Sequence, residues 1–322
     1  MKKALICGVT GQDGSYLAKF LLDKGYVVYG TSRDSQMSNI SNLQSLGING
    51  SVQLLSMALN DFRSVLQTLA KVEPDEVYNL AGPSSVSLSF QQPVETLESI
   101  TVGTLNLLES IRFINLPVRV YNACSSECFG TTEGFAADET TAFRPRSPYA
   151  LAKAAAFWEV SNYREAYNLY ACSGLLFNHE SPFRSKRFVT RKIISAACRI
   201  AAGSNEKLSL GNFAICRDWG WAPEYVAAMW LMLQQPKADD YVIATGKSHS
   251  LEEFVAETFN SVGLDWHDYV LFDESLLRPS DIAVSRANPA KAKAILGWEA
   301  TFGMQDVVRM MLEAEKRMMV VD

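Results

Sequence analysis

The sequence predicts an α/β fold, a doubly wound parallel sheet followed by a smaller C-terminal lobe. Short β-branched or aromatic runs alternate with helical patterns from the first residues, and the first run leads directly into a glycine-rich turn. Strands alternating with helices need right-handed crossovers, which lay the strands side by side in one direction. In such a sheet ligands bind beyond the carboxyl ends of the strands. The length, 322 residues, is long for one core and leaves room for an appended lobe.

Lys3–Cys7 reads as the first strand, and Ser15–Lys24 as a helix with Tyr16, Leu17, Phe20 and Leu21 on one side. Strands two to six are expected at Tyr26–Gly30, Val52–Ser56, Glu76–Asn79, Val118–Asn122 and Ala171–Leu176. The longest helical patterns cover Val94–Asn115 and Pro148–Ala166, and the Ser- and Asn-rich stretch Ser32–Ser45 reads as a loop. After Phe177 the alternation loosens and Pro, Arg and Trp become more frequent. The expected division is therefore a cofactor domain over residues 1–178, also receiving elements from about 212–246, and a lobe made of 179–211 and 247–322.

A 48% hydrophobic and 20% charged composition is that of an ordinary globular protein. The net charge of -5 argues against nucleic acid as the main partner, because phosphate backbones select basic surfaces. No stretch approaches the roughly 20 apolar residues of a membrane span. The first apolar run stops at Gly8, too soon for a signal peptide, so the expected location is the cytoplasm. Cys7, Cys124, Cys128, Cys172, Cys198 and Cys216 form no Cys-x-x-Cys pair and read as buried thiols. The three histidines are scattered, so no metal is expected.

Gly8, Gly11 and Gly14 punctuate the turn between the first strand and the first helix. Glycines there permit a tight turn, close backbone approach to a pyrophosphate and close packing of helix on strand, while the helix N-terminus offers N–H donors. This is the arrangement of a Rossmann-type dinucleotide site, with Gly8, Thr10, Gly11, Gln12, Asp13 and Gly14 at the cofactor. After the second strand stands Thr31-Ser32-Arg33 rather than an acidic residue. Arg33 can pair with a 2′-phosphate that a carboxylate would repel, so NADP is expected ahead of NAD. Asp34 falls one residue too late to serve as the ribose ligand.

Tyr149-Ala-Leu-Ala-Lys153 puts a phenol and an ammonium on one helix face, where Lys153 can lower the phenol's pKa. Ser125, at the end of the fifth strand, adds a hydroxyl for a substrate alcohol or carbonyl. Glu127 offers a second base, which simple redox at a carbinol does not need. Beside a ketone it could take the acidified neighbouring C–H proton and drive loss of a leaving group. A turn cap at Ser125 and a surface glutamate at Glu127 are the plainer alternatives.

With these residues the chain resembles the extended short-chain dehydrogenases and, within them, the GDP-mannose 4,6-dehydratases. The resemblance covers nearly the whole chain. It rests on Gly8 to Tyr16, Val77-Tyr-Asn-Leu-Ala81, Ser125-Ser-Glu127 and Pro145-Arg-Ser-Pro-Tyr149. It continues through Phe177-Asn-His-Glu-Ser-Pro182, Phe188-Val-Thr-Arg-Lys-Ile193, Arg217-Asp-Trp-Gly220 and Tyr241-Val-Ile-Ala-Thr-Gly246. It implies a redox-neutral dehydration of a GDP-sugar with NADP, in which Ser125, Glu127, Tyr149 and Lys153 are catalytic. Leu80, Ala81, Gly82, His179 and Arg184 would join the cofactor site. Ser84, Ser85 and Asn178 would border the sugar, and Lys192, Arg217 and Arg278 would hold the diphosphate and ribose.

The chain departs from the family pattern at Met57-Ala-Leu59, where an Asp usually meets the adenine, and at Gly82-Pro-Ser-Ser85 beside the sugar. The same chemistry on another GDP-sugar, such as a GDP-manno-heptose, is the nearest alternative. A 4-epimerase or 4-ketoreductase that ignores Glu127 comes next, and a cofactor-sensing protein last. Apolar residues on more than one face of the two long helices, among them Leu107, Leu108, Phe157 and Trp158, suggest a homodimer or homotetramer. Ser32–Ser45 is a candidate inter-subunit arm.

Overall fold

The computed structural model describes residues 1–321. Its strands are β1 (Lys3–Cys7), β2 (Val27–Ser32), β3 (Gln53–Ser56), β4 (Glu76–Asn79), β5 (Arg119–Ser125), β6 (Tyr170–Leu176), β7 (Asn178–Glu180), β8 (Leu208–Leu210), β9 (Cys216–Trp221), β10 (Tyr241–Ile243), β11 (Ser248–Ser250) and β12 (Val270–Phe272). Its α-helices are α1 (Gln12–Asp23), α2 (Ser41–Ser45), α3 (Phe62–Val72), α4 (Val86–Gln91), α5 (Pro93–Leu97), α6 (Gly103–Phe113), α7 (Pro148–Tyr167), α8 (Val189–Ala201), α9 (Ala222–Gln234), α10 (Leu251–Asn260) and α11 (Met304–Val321).

Seven strands form a parallel sheet in the order β10-β6-β5-β4-β1-β2-β3. The order reverses between β1 and β4, and this is where a doubly wound sheet opens its crevice. Alternation along β1 serves two cores. Ala4 and Ile6 pack with Leu17, Leu21, Tyr225 and Met229 of α1 and α9. Leu5 and Cys7 face the other way, toward Val65, Leu69, Leu107 and Val160 of α3, α6 and α7. A sheet buried on both faces is what apolar runs without alternation encode.

The lobe has its own core, in which Ile193, Phe254, Val307 and Met311 of α8, α10 and α11 surround Trp219 of β9. A three-stranded sheet, β11-β9-β7, and the pair β12-β8 sit beside it. Of the 212–246 stretch expected to rejoin the first domain, part does so and part does not. Helix α9 and strand β10 return to the large sheet, whereas β9, from the same 212–246 stretch, stays with the lobe. Ala292, Leu296 and Trp298, expected in the lobe, pack into the sheet-side core with Tyr225.

Several elements differ from their expected form. Helix α1 begins at Gln12 rather than Ser15, because Gly14 lies inside its first turn instead of ahead of it. The pattern over 94–115 is interrupted: a π-helical turn at Glu98–Val102 separates α5 from α6. Within the Ser32–Ser45 stretch, Ser41–Ser45 is helical and Leu43 is fully buried, so this part of the supposed arm is anchored to the core. Among the described residues no helix is long and apolar enough to cross a membrane.

Candidate active site

The glycine-rich turn is shaped by what it has no room for. Gly8 has φ +82°, and a Cβ there would stand 3.0 Å from the Cα of Ala81. A Cβ on Gly14 would come within 2.3 Å of the Gly8 carbonyl oxygen. Gly11 is the N-cap of α1 and supplies no side-chain acceptor, so the first amides of the helix stay open to an anion. The Asn42 side chain donates to the Thr10 carbonyl at 3.0 Å, tying α2 to the turn. Leu80 and Gly82 (φ +124°) leave β4 toward the cleft while Ala81 packs against Gly8. A cradle that a single methyl group would fill, facing free helix amides, fits the pyrophosphate of a dinucleotide.

Gln12 and Asp13 connect this turn to β7. The Gln12 amide donates to the His179 carbonyl at 3.1 Å and accepts from the Ser181 hydroxyl at 2.9 Å. His179 has an acceptor at each ring nitrogen: the Phe177 carbonyl at 2.7 Å and the Asp13 carboxylate at 2.9 Å. Both nitrogens must then carry protons. Burial opposes the charged imidazole, but the Asp13 carboxylate outweighs it and raises the His179 pKa. Asp13 is pulled below its usual range by the same pairing, against its own burial.

Arg184 lies 3.1 Å from the buried Glu180 and 3.7 Å above the Phe188 ring. Arg33, beyond the end of β2, is 82% exposed and 3.6 Å from Glu95, outside the cleft lining. The Asp34 carboxylate is turned away into its own loop, accepting from the amides of Gln36 and Met37.

A cleft of about 830 Å³ runs from the switch point to the lobe. Ser125, Glu127, Tyr149 and Lys153 all line it. Ser147 caps α7 by accepting from the Ala150 amide at 3.1 Å, and Pro148 pre-sets the first turn, so Tyr149 and Lys153 project one turn apart. The Ser125 hydroxyl accepts from the Glu127 amide at 3.3 Å. Burial pushes the Tyr149 phenol up, and the adjacent Ser125 hydroxyl opposes that. Lys153 differs from expectation. Its ammonium donates to the Ala123 carbonyl at 2.7 Å and lies 6.0 Å from the Tyr149 ring centre, so burial rather than Lys153 dominates the phenol. Burial lowers the Lys153 pKa as well. Burial raises the Glu127 carboxyl above its ordinary value, with Arg217 and Arg278 pulling it back.

Those two arginines form the far wall. Arg217, on β9 and almost fully buried, donates to the Ile282 carbonyl at 2.7 Å and to Asp281 at 3.0 Å. Arg278 donates to the same Asp281 oxygen at 3.3 Å and, across the cleft, to the Ser87 hydroxyl of α4 at 3.1 Å. Lys192 is exposed on α8 and has no ion pair among the described residues. Asn178, Ser84 and Ser85 also line the cleft, with the Ser85 hydroxyl engaged in capping α4 at the Leu88 amide. Sequence reasoning missed Asp281 and Ser87. Asp281 stands three residues after Arg278, but its other partner, Arg217, lies 64 positions away, and Ser87 is 191 positions from Arg278.

The family model for GDP-mannose 4,6 dehydratase matches residues 5–311. GDP-mannose 4,6 dehydratase 1 of Arabidopsis thaliana is 47% identical, over 98% of this chain and 90% of that protein. The GDP-mannose 4,6 dehydratase of Homo sapiens is 41% identical, over 98% and 92%. Among solved structures, a UDP-glucose 4-epimerase of Thermus thermophilus in complex with NAD has a TM-score of 0.85 at 25% identity, over 98% of this chain and 99% of that one.

Proposed function

Because the chain belongs to the GDP-mannose 4,6-dehydratase family, we propose that it converts GDP-mannose to GDP-4-keto-6-deoxymannose and releases one water. The observation that carries this reading is Glu127, a carboxylate on the cleft lining with Ser125 and Tyr149 whose pKa is raised toward the range of a working base. A bound nicotinamide cofactor supplies hydride exchange with the sugar, withdrawn from carbon 4 and returned to carbon 6. Tyr149 takes the proton of the 4-hydroxyl as a phenolate, a form that burial opposes and the Ser125 hydroxyl favours, and Ser125 also orients the sugar oxygen. Glu127 removes the proton at carbon 5, acidified by the neighbouring ketone, and delivers it to the hydroxyl leaving carbon 6; as hydride returns to carbon 6, the proton held by Tyr149 passes to carbon 5, so that one water is the net loss. Arg217, Arg278 and Lys192 hold the diphosphate and ribose, and Asn178, Ser84 and Ser85 flank the sugar.

NADP is the favoured cofactor. Arg33 has only an exposed partner to give up for a 2′-phosphate, and the Asp34 carboxylate is occupied in a turn. The assembly we propose is a homodimer or homotetramer built on the α6–α7 face. Of the residues expected there only Trp158 is exposed, since Leu107, Leu108 and Phe157 are buried in the protomer's own cores, but Val102, Leu105 and Leu151 join Trp158 at 40% exposure or more; a monomer in light scattering would sink that assignment.

Incubation with GDP-mannose and trace NADP, followed by mass spectrometry, should show loss of one water with no net accumulation of reduced cofactor. Unchanged GDP-mannose overturns the substrate assignment. Glu127→Gln should cut dehydration by about 10²- to 10⁴-fold, whereas a 4-epimerase would barely notice it.

A further inference from the structure

Two of the six cysteines touch. The Cys124 and Cys128 sulfurs stand 3.6 Å apart, the first near the end of β5 and the second in the short 3-10 turn that follows. Both thiols donate to α7: Cys124 to the Lys153 carbonyl at 3.7 Å, Cys128 to the Ala150 carbonyl at 3.6 Å. Between the two cysteines lie only Ser125, Ser126 and Glu127. The pair therefore backs onto every proposed catalytic residue, yet the dehydration uses neither sulfur. Cys124 borders the cleft, whereas Cys128 is fully buried behind it.

We propose that Cys124 and Cys128 form an oxidation site, where a two-electron oxidant such as hydrogen peroxide entering the cleft joins the thiols in a disulfide and displaces Ser125 and Glu127. The oxidation stands on the placement of the thiols, and its effect on turnover rests on the dehydratase reading.

Cys124 is the thiol that meets the oxidant, and burial keeps Cys128 protonated by pushing its thiol up. The Cys124 sulfur attacks one peroxide oxygen and the O–O bond breaks. The departing hydroxide leaves with the Cys124 proton as water, and Cys124 becomes a sulfenic acid. The Cys128 sulfur then attacks the Cys124 sulfur, the S–O bond breaks, and the hydroxyl leaves with the Cys128 proton as a second water. Two thiols have lost two electrons and two protons, and the peroxide has been reduced to two waters.

The bond draws the sulfurs from 3.6 Å to ~2.05 Å. Both thiol donors to α7 disappear with their protons. So short a segment has little slack to absorb the closure, and the hydrogen bond from the Glu127 amide to the Ser125 hydroxyl lies inside it. A catalytic group misplaced by ~1 Å costs on the order of a hundredfold in rate.

The test exposes the full chain to graded hydrogen peroxide, removes the excess with catalase, then alkylates and digests the protein for peptide mass mapping. A cross-link between Cys124 and Cys128, lighter by the two hydrogens lost, should appear and vanish with dithiothreitol. The kcat for GDP-mannose should fall at least about tenfold in step with it and return on reduction. Cys124→Ala, which has no thiol at the cleft, should keep its turnover at the same dose. Cys128→Ala should instead hold the sulfenic acid at Cys124, trapped as a dimedone adduct. Melting curves establish that each variant is folded, and Cys124→Ser replaces an alanine variant that is not. No cross-link in the wild type, a cross-link without loss of kcat, or an equal loss in Cys124→Ala overturns the proposal. Unoxidised wild-type protein that leaves GDP-mannose unchanged instead overturns the dehydratase reading, and the mass mapping still decides the oxidation site.

Discussion

Two regions of the cleft carry proposed phosphate sites, and they are made from different materials. The turn after β1 is backbone: three glycines, open helix amides and a gap where Gly8 and Gly14 have no side chain. The wall at Arg217 and Arg278 is side chain: two guanidiniums held by one carboxylate and by carbonyl oxygens. The first is rigid because any addition collides. The second is rigid because a charge bridges it. A backbone site is therefore broken by adding an atom, and a side-chain site by removing one.

The largest effect should come from adding one. Gly14→Ala puts a methyl group 2.3 Å from the Gly8 carbonyl oxygen, a backbone collision at or beyond the upper end of the ~1–3 kcal/mol typical of overpacking, and it strikes fold and cofactor turn at once. Melting temperature and NADP affinity should fall together, and a variant with both unchanged would remove the steric account of the turn. Next comes Arg217→Ala, which takes a buried guanidinium from the opposite wall. GDP affinity should fall by ~2–5 kcal/mol, with NADP affinity unaffected. An equal loss of both ligands would mean that the two walls are not independent. The smallest effect belongs to Arg33→Ala, an exposed cation. It should weaken NADP by ~1 kcal/mol and leave NAD alone, and no difference between the cofactors would move the 2′-phosphate to another residue.

The same contrast decides what could be read from the chain. The backbone site is written locally, in glycines three residues apart at the end of an apolar run, so its position emerges from spacing and strand–helix alternation. Even there the helix boundary differs from expectation, since a glycine that opens a turn looks like one that begins a helix. Tyr149 and Lys153 were equally legible because one helical turn joins them. Asp281 was not: its pairing with Arg278, three residues earlier, reads as an ordinary local ion pair, and only the fold brings Arg217 to the same oxygen. Strand β10 lies in the 212–246 stretch expected to rejoin the sheet, but its three residues are too few to show a period and so to be placed as a strand. The surroundings of Lys153 were half legible. Its place on the helix face was plain, but its bond to the Ala123 carbonyl depends on how α7 lies against β5.

The path of the chain after β6 has a consequence for how the molecule comes apart. Strand β10 closes the edge of the large sheet beside β6, α9 covers the face over α1, and Trp298 plugs the gap beneath it, donating to the Glu224 carbonyl. Each of these pieces is reached only after the backbone has passed through the lobe. Cutting after residue 177 would expose a hydrogen-bonding strand edge and strip an apolar face at once. Heat or denaturant should accordingly leave no intermediate in which residues 1–177 stay folded alone.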